Sequence, residues 1–520
     1  MARGRHIQAD YTKPPIPQFL GNPCIEALWH EFDLVSVAQA LRREPPPMPD
    51  AVRTGSENTR LQWLTATLSE LFIPSTISLQ LAERLWDATI LSYQFRNPIF
   101  PHTWCPNTLI NGFNLPGVSG MGKTTTIIKG LQQMPQRISH RFFNEKRWTK
   151  EQLVWIHLDA PSKGSPGTFC DDFFKEVDDI LGTTYVKLYG KDTRASLDSM
   201  ISGMKRIMEI NCVGLLFVDE INHLVRRNTE ESATLLNFLF SLKNKLGVSV
   251  VMLGDYTALP LFTKQLRLMG RASGQGDLVW DRMLPDGPTW TELLPVLFKY
   301  QVMPHPVELD QELSSALYYG SQGVLRAALQ LFSLAQRYAL EKGWDRITPR
   351  VIYQTIDRDL LFSGGVLRAL RTGDRRLLAR HHPDVFPGVL TDYLIEAMRR
   401  GDIEGCLHLL PDLQVAARQA SQSESAGVQD QAFSDEPPKK KTSTRGSNPK
   451  STQKVPAAET RPLPAPDSIL GCVHELPRDH KGRFFAQAVH QKLKDDGFIV
   501  NLKNFLVPSQ EFKASEVLVH

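Results

Sequence analysis

The chain contains 520 residues, of which 42% are hydrophobic and 22% charged, and its formal net charge is only +4. A chain of this length is too long for one hydrophobic core, so we expect about two to four folded units. The composition is ordinary for a soluble globular protein. So small a net charge does not by itself indicate a nucleic-acid binder, and any basic surface must therefore be local.

Targeting segments and metal-binding cysteines are not evident in the sequence. The first residues, MARGRHIQADYTKPP, lack the apolar segment of a signal peptide. No apolar run approaches the ~20 residues needed to span a bilayer, so we expect a cytoplasmic protein without membrane contact. The six cysteines lie far apart and include no C-x-x-C pair, which argues against a zinc site or a disulfide framework.

The first part of the chain predicts an extended arm followed by helices. Residues 1–18 are polar and rich in proline, whereas apolar residues recur at three- and four-residue intervals between residues 22 and 95, as in Leu61–Phe72. The prolines between residues 45 and 49 divide these helices into two groups. We therefore predict an N-terminal arm and helical domain over residues 1–95.

From about residue 109, short apolar runs rich in β-branched residues alternate with amphipathic helices. Such alternation predicts a parallel α/β sheet with helices on both faces. The runs predicted as strands are Leu109–Leu115, Leu153–Leu158, Val213–Val218 and Val248–Leu253.

The strongest motif follows the first of these strands. Residues Gly117–Thr124 read GVSGMGKT and fit G-x-x-x-x-G-K-[ST] at every fixed position. Glycines let the backbone aim its N–H groups at phosphate oxygens, and the next helix presents its positive end to the same anion. Lys123 can reach the β- and γ-phosphates of ATP, and the Thr124 hydroxyl can ligate Mg²⁺. The predicted nucleotide-binding residues are Gly117, Val118, Ser119, Gly120, Met121, Gly122, Lys123, Thr124 and Thr125.

A second motif lies at the end of the strand Val213–Val218. This run is continuously apolar, as a strand buried on both faces requires, and it is followed by Asp219 and Glu220. Asp219 is expected to hold Mg²⁺ and Glu220 to orient and deprotonate the attacking water. Two acids after an apolar run are a weak signal alone, but the upstream phosphate loop makes ATP hydrolysis the favoured interpretation.

Three further residues are candidates for nucleotide sensing. Asp255 follows the strand Val248–Leu253 and is a candidate γ-phosphate sensor, although an anion is unexpected there; a polar turn is the alternative. Of Arg267 and Arg271, we favour Arg271 as an arginine that reaches a neighbouring subunit's nucleotide. Arg326 begins a predicted helix that can face the phosphates. For both arginines, a solvated surface position remains the alternative.

The remaining patterns complete the domain organisation. A helical lid after an α/β core is the AAA+ layout. Residues 420–466 contain too few large apolar residues to fold, so they are predicted to be a disordered linker. The Pro438–Lys441 run within it is predicted to be solubilising, with weak DNA contact as the alternative. The predicted units are the ATPase core over 96–303, the lid over 304–365, C-terminal helices over 366–419, the linker over 420–466 and a tail over 467–520.

Six segments outside the ATPase motifs narrow the choice among families of P-loop ATPases. They are FLGNPCIEAL, SYQFRNP, HLDAPSKGSPGTFCDDFF, RASGQGDLVWD, SQGVLRAALQLFSLAQ and LKDDGFIVNLKNF. With them, the chain resembles the TnsC-type AAA+ regulators of bacterial cut-and-paste transposons over almost its whole length. Two positions depart from the family pattern: Asp255 replaces a small polar sensor, and Glu220-Ile221-Asn222 replaces the more common E-I-Q.

The resemblance implies an ATP- and Mg²⁺-dependent matchmaker in the bacterial cytoplasm. Such proteins assemble as rings or filaments, hexamer- or heptamer-like, on double-stranded DNA without sequence preference. They connect a TnsD/TniQ-type target selector to the TnsB transposase, and the C-terminal tail is expected to bind a TnsA-type endonuclease. By the same resemblance, Arg96, Asn97 and Pro98 are expected at the nucleotide.

DNA contact is expected from the loop after the second core strand, residues 159–167, with Lys163 as the first candidate and a surface charge as the alternative. The other candidates are Lys187, Lys191 and Arg194.

Two other functions stay open. A replication initiator or helicase loader would share the ATPase motifs, but no clear DNA-reading helix is evident in residues 367–418. A non-catalytic scaffold would use ATP only to join subunits, and the intact Lys123, Thr124, Asp219 and Glu220 argue against it. The tail has its own alternative, a small subdomain packed on its own chain.

Overall fold

The computed structural model describes residues 4–94, 96–99, 112–227, 230–258, 278–285 and 287–372, together with 378, 382, 384 and 385. The predicted linker, the tail, most of the predicted C-terminal helices, and Arg267 and Arg271 lie outside these residues. In the described part of the chain, no helix is long and apolar enough to cross a membrane.

The described elements begin with a short strand and a group of helices and continue as strands alternating with helices. The strands are β1 (His6–Gln8), β2 (Asn114–Pro116), β3 (Arg137–Phe143), β4 (Lys146–Leu153), β5 (Trp155–Asp159), β6 (Leu215–Asp219) and β7 (Ser249–Gly254). The helices before β3 are α1 (Pro23–Glu26), α2 (Leu34–Leu41), α3 (Asp50–Arg53), α4 (Glu57–Glu70), α5 (Thr76–Gln94) and α6 (Lys123–Leu131). Those after β5 are α7 (Pro166–Leu181), α8 (Tyr185–Tyr189), α9 (Leu197–Ile210), α10 (Asn222–Arg227), α11 (Glu230–Leu246), α12 (Pro288–Leu297), α13 (Gln311–Ser321), α14 (Leu325–Glu341), α15 (Pro349–Asp359) and α16 (Leu361–Thr372).

The central sheet is parallel and has the order β2-β7-β6-β5. All residues of β6 and β7 are buried, which fits strands covered by helices on both faces. The α/β fold and the strands predicted at Leu153–Leu158, Val213–Val218 and Val248–Leu253 are confirmed within one or two residues. Because β7 separates β2 from β6, the phosphate loop and the acidic strand lie on either side of the strand that ends at Gly254.

A further segment lies beside β2 on its other side. Trp280 donates its backbone N–H to the Pro116 carbonyl at 3.0 Å and accepts from the Val118 N–H at 2.9 Å. The bridge between Gly117 and Trp280 is parallel. Both sides of β2 are therefore paired, which fixes the start of the phosphate loop.

A second, three-stranded sheet of order β1-β3-β4 was not evident in the sequence pattern. β3 and β4 form an antiparallel hairpin whose turn residues, Asn144 and Glu145, have φ angles of 48° and 63°. Positive φ at both positions is the type I′ turn that suits a two-residue hairpin. The N-terminal arm, predicted as extended, pairs in parallel with β3 through β1.

The helices predicted before the core are present, and their side chains share its apolar cluster. Leu81 and Leu85 of α5 are fully buried in one cluster with Leu115 of β2 and Ile127 of α6. Hydrogen bonds also join α5 to the sheet: Ser249 Oγ donates to the Ala88 carbonyl at 2.6 Å. The boundary at residue 95 stays a prediction.

The helices after the sheet pack against the phosphate loop. The backbone N–H of Arg326, in the first turn of α14, donates to the Gly120 carbonyl at 2.9 Å. The Met283 N–H donates to the Gly323 carbonyl at 3.0 Å, and the Tyr318 hydroxyl donates to the Met283 carbonyl at 3.1 Å. Helices α13, α14 and α15, which lie within the residues predicted as the lid, pack on one another.

Candidate nucleotide site

The loop between β2 and α6 has the backbone shape that a phosphate cradle requires. Gly120 and Gly122 both have φ angles of 84°, a conformation that side chains with a Cβ rarely adopt. A Cβ on Gly117 would lie 2.3 Å from the Trp280 carbonyl oxygen. The glycine positions of the motif are thus explained by backbone geometry at three separate points. Gly122 is also the residue that precedes α6, whose N-terminal end faces the loop.

Lys123 is buried and its ammonium lies within the loop. Its Nζ donates to the Gly117 carbonyl at 2.8 Å and to the Val118 carbonyl at 2.7 Å. Burial lowers the pKa of Lys123 to about 8, although Asp255, Asp219 and Glu220 oppose this shift. A buried cation that is hydrogen-bonded only to carbonyls is suited to bind an anion.

Thr124 and Asp219 meet at the floor of the site. The Thr124 hydroxyl donates to Asp219 Oδ2 at 2.7 Å, although the two residues come from α6 and β6. Burial raises the pKa of Asp219, and the Thr124 hydrogen bond opposes this. The two predicted Mg²⁺ ligands are thus adjacent, and their hydroxyl and carboxylate oxygens are the hard donors that Mg²⁺ prefers.

Asp159 adds a second carboxylate at this edge, which the sequence pattern did not assign to the site. It lies opposite Asp219 in the pairing of β5 with β6. Its Oδ1 is 3.5 Å from Nε2 of His157, and the potential ligand atoms of His157, Asp159 and Asp219 lie within 4.8 Å of one another. These three residues form a group of the kind that can hold a divalent cation.

Glu220 lies at the rim of the cavity with an exposed side chain and a φ angle of 53°. Its backbone N–H donates to Asp219 Oδ1 at 2.7 Å. Asn222, which is only 2% exposed, donates from Nδ2 to Glu220 Oε2 at 3.1 Å. The candidate base is therefore oriented by its two neighbours in the turn after β6. The role of Asn222 was not predicted.

A cavity of about 490 Å³ joins these groups, which is within the usual range of ligand sites. Its polar lining includes the phosphate loop, Asp219, Glu220 and Asp255. Apolar residues also line it, and part of them come from the connection between α4 and α5, which the sequence pattern did not link to the nucleotide. The apolar lining includes Leu71, Phe72, Ile73, Pro74, Met283, Leu293, Leu325 and Leu329.

Asp255 and Arg326 both line this cavity. Asp255 Oδ1 accepts hydrogen bonds from the Thr257 N–H, at 2.8 Å, and from the Thr257 hydroxyl. It therefore caps the turn that follows β7. The Arg326 side chain is exposed, but its Cβ and Cδ lie close to Gly120: a Cβ on that glycine would be 3.3 and 3.8 Å from them. Their sensing roles stay predictions, and Arg271 lies outside the described residues.

The described contacts of Arg96 and Asn97 are not with the phosphate loop, and the assignment of Arg96, Asn97 and Pro98 to the nucleotide stays a prediction. Arg96 Nη2 donates to the Val213 carbonyl at 2.6 Å, just before β6, whereas the loop lies at the opposite, carboxyl ends of the strands. Asn97 Nδ2 donates to the Gly21 carbonyl at 2.8 Å. The segment instead ties α5 to the amino end of the sheet.

All four candidate DNA contacts are exposed, but one of them, Lys191, also makes hydrogen bonds within its own chain. Lys163 lies in the loop between β5 and α7. Lys187 lies on α8, and Lys191 and Arg194 follow it. The Lys191 ammonium hydrogen-bonds the Thr168 hydroxyl, and its backbone N–H donates to Asp171 Oδ1 at 3.0 Å. Lys191 is thus partly used within its own chain.

Comparisons with known proteins agree with this geometry at the level of the domain. Residues 114–262 match a family model described as an AAA domain. A comparison with curated proteins finds no match.

Among solved structures, the chain is similar to the Aeropyrum pernix ORC1 protein in complex with DNA, at 14% identity and a TM-score of 0.35, over 69% of each chain. It is similar to Drosophila ORC bound to DNA at 13% identity and a TM-score of 0.38, over 78% of this chain and 90% of that one. The Aeropyrum pernix ORC2 protein in ADPNP-ADP complexes matches at 13% identity and a TM-score of 0.37, over 64% of this chain and 78% of that one. The family match and the strand order together identify an α/β P-loop ATPase fold with an AAA domain.

Proposed function

We propose that the chain binds ATP with Mg²⁺ and hydrolyses it. The observation that carries this proposal is the meeting, at one cavity, of a buried lysine in a glycine loop, a Thr124–Asp219 hydrogen bond and the Glu220 carboxylate. Lys123 and the loop N–H groups would hold the phosphates, and Thr124 and Asp219 would hold Mg²⁺, which neutralises phosphate charge. Glu220 accepts the proton of the attacking water.

Two substitutions test this proposal. Lys123→Ala is expected to abolish tight nucleotide binding, because nothing else in the loop supplies a cation. Glu220→Gln is expected to bind ATP as the unaltered chain does and to lose hydrolysis. Nucleotide affinity and phosphate release are measured separately. Unchanged turnover in Glu220→Gln would remove Glu220 from the role of base.

We further propose that this ATPase regulates DNA transposition. It would oligomerise on double-stranded target DNA and bridge a target-selection protein to the transposase, with ATP hydrolysis controlling disassembly. The support is the resemblance of six segments outside the ATPase motifs to TnsC-type regulators. DNA contact by Lys163, Lys187, Lys191 and Arg194, and an arginine supplied by Arg271 to a neighbour, belong to the same proposal.

Sedimentation with and without duplex DNA tests the assembly. With ATP and DNA, the Glu220→Gln variant should form persistent large assemblies, while the unaltered chain should disassemble as ATP is consumed. Co-purification with a TnsB-type transposase and a TniQ-type selector then separates a transposition regulator from a helicase loader, which would instead retain a replicative helicase. Assemblies that form equally without ATP would contradict the proposal.

A further inference from the structure

The β3–β4 hairpin carries a dense run of cations at the opposite end of β5 from Lys163. Between residues 140 and 150 the chain has Arg141, Lys146, Arg147 and Lys150, and Glu145 is the only acid. The hairpin begins and ends beside the amino end of β5, since the Val154 N–H donates to the Gln136 carbonyl at 2.9 Å. Lys163, in contrast, follows the carboxyl end of β5.

The described part of the chain does not neutralise these cations. Within the described residues, none of the four forms an ion pair, whereas Arg137 at the base of the hairpin pairs with Glu151 at 2.7 Å. Arg141, Lys146 and Arg147 are exposed. Cations clustered on a strand without partners repel one another, so an external anion that binds them removes an existing cost.

An exposed aromatic ring lies among them. Phe142 is 59% exposed and pairs across the strands with Arg147, so the two side chains share a face of the hairpin. A register shift between His140 and Phe142 places Arg141 at a bulge beside them. A shallow groove of about 430 Å³ lies along β3 and the hairpin turn, and its lining includes Tyr11, Arg141, Phe142, Phe143 and Glu145.

The other face holds the hairpin in place. The Tyr11 hydroxyl and His140 Nδ1 are hydrogen-bonded at 2.8 Å, and the rings of His140 and Trp148 lie 4.8 Å apart at an angle of 67°. Tyr11 also contacts Phe143, with ring centroids 5.0 Å apart. Arg147 and Phe142, with Arg141 at the bulge beside them, are therefore presented on an anchored platform.

We infer that this basic hairpin, residues 140–150, is a second nucleic-acid-binding surface. Phosphates lie against Arg141 and Arg147, and an unpaired base stacks on Phe142. Cations that track a backbone beside an exposed ring are the combination by which single strands are held without sequence preference. The inference deepens the DNA-binding part of the proposed function, on a surface distinct from Lys163.

The test uses the full chain and fluorescent probes of random sequence, one duplex and one single-stranded. Arg141→Glu/Arg147→Glu is compared with Arg206→Glu/Arg350→Glu, which reverses two exposed charges on α9 and α15. At about 0.1 M salt the hairpin variant should bind the single strand roughly tenfold more weakly or worse, and its salt slope should fall by about two. The control should bind as the unaltered chain does. If the reversal variant does not bind ATP, Arg141→Gln/Arg147→Gln replaces it.

The substitution Phe142→Ala measures how much the aromatic ring contributes to binding of the single strand. It should weaken single-strand binding at least about fivefold and leave duplex binding nearly unchanged, because only an unpaired base can stack. Equal affinities for unaltered chain and hairpin variants would overturn this inference alone, whereas an unaltered chain that binds neither probe would also remove DNA from the proposed function. If the hairpin variants bound DNA as the unaltered chain does but no longer bound a polyglutamate peptide, the inference of a nucleic-acid surface would be overturned in favour of an acidic protein partner.

Discussion

Lys123 shows how one buried charge prepares the loop for phosphate. Its ammonium is surrounded by carbonyl oxygens at 2.7 and 2.8 Å and has lost most of its water, so its pKa falls to about 8. Bound phosphates would raise this pKa again, because an adjacent anion favours the charged form of a lysine. Nucleotide binding should therefore be linked to proton uptake.

This linkage predicts that ATP affinity depends on pH in one direction. Below pH 8 the lysine of the nucleotide-free chain is already protonated and affinity is full; above pH 8 binding must also take up a proton, so affinity falls. With a pKa of about 8 in the free chain, affinity at pH 9 should be about tenfold weaker than at pH 7. Calorimetry in two buffers of different ionisation enthalpy measures both quantities. Lys123→Met should bind weakly and without this pH dependence, and a flat profile for the unaltered chain would contradict the mechanism.

Asn222 is the second residue whose position makes a kinetic prediction. Its amide holds one Glu220 oxygen at 3.1 Å, and its own Oδ1 accepts no hydrogen bond within the described residues. Asn222→Ala should lower kcat roughly tenfold by releasing the base, a fraction of the ~10²–10⁴-fold that a positioned base contributes in all. Nucleotide affinity should change little, because Lys123 and the loop are untouched. An unaltered kcat, measured at saturating ATP, would show that Glu220 needs no such holder.

At the scale of elements, three of the four strands of the central sheet were predictable and the hairpin was not; the first strand, predicted at Leu109–Leu115, begins at Asn114 within the described residues. β6 and β7 are continuous apolar runs because both of their faces are buried, and such runs stand out in a sequence. β3 and β4 alternate cations, aromatics and amides, and their turn, Asn144-Glu145, lacks the glycine that usually announces a hairpin. The missing signal was the periodicity of two over residues 137–153.

In the candidate site, too, contiguous motifs were predictable from the sequence, and residues brought together by packing were not. The phosphate loop and Asp219–Glu220 were predictable because each is a contiguous motif. The apolar wall from Phe72, Ile73 and Pro74 was not, since it depends on how α4 and α5 pack on the sheet. Arg96 was expected at the nucleotide by resemblance alone, and its contact with the Val213 carbonyl depends on how α5 packs on the sheet, which no contiguous motif reveals.

The packing of the helices after the sheet depends on Gly320 of α13. A Cβ there would lie 2.3 Å from Leu331 Cδ2 and 2.6 Å from Ile356 Cδ1, on α14 and α15. Gly320→Ala should lower the free energy of unfolding by about 1–3 kcal/mol through overpacking, despite the better helix propensity of alanine. Gly364→Ala on α16, where a Cβ meets nothing within 4 Å, is the matched control and should be neutral or stabilising. Urea unfolding followed by tryptophan fluorescence compares them, and equal midpoints would contradict the crowding.

At the scale of the molecule, the predicted N-terminal helical domain and the ATPase core are joined by one apolar cluster. Leu81 and Leu85 of α5 are buried with Leu115 and Ile127. The Tyr93 hydroxyl donates to the Cys212 carbonyl at 2.8 Å, across 119 positions of sequence. Burial of this kind is the main favourable contribution to folding, so separating the two units would expose apolar surface on both.

Two truncated chains test whether the ATPase core needs the apolar cluster that it shares with the N-terminal helices. A chain that begins at residue 96 loses α5 and the wall at Phe72, so it should be insoluble or fail to bind a fluorescent ATP analogue. A chain that ends at residue 419 keeps the whole described cluster and cavity, so it should bind the analogue with unchanged affinity. By the proposed role of the tail, the same shortened chain should no longer retain a TnsA-type subunit in co-purification. A soluble, nucleotide-binding chain that begins at residue 96 would show that the helices before it are an accessory unit, because the shared core would then not be needed for the ATPase to fold.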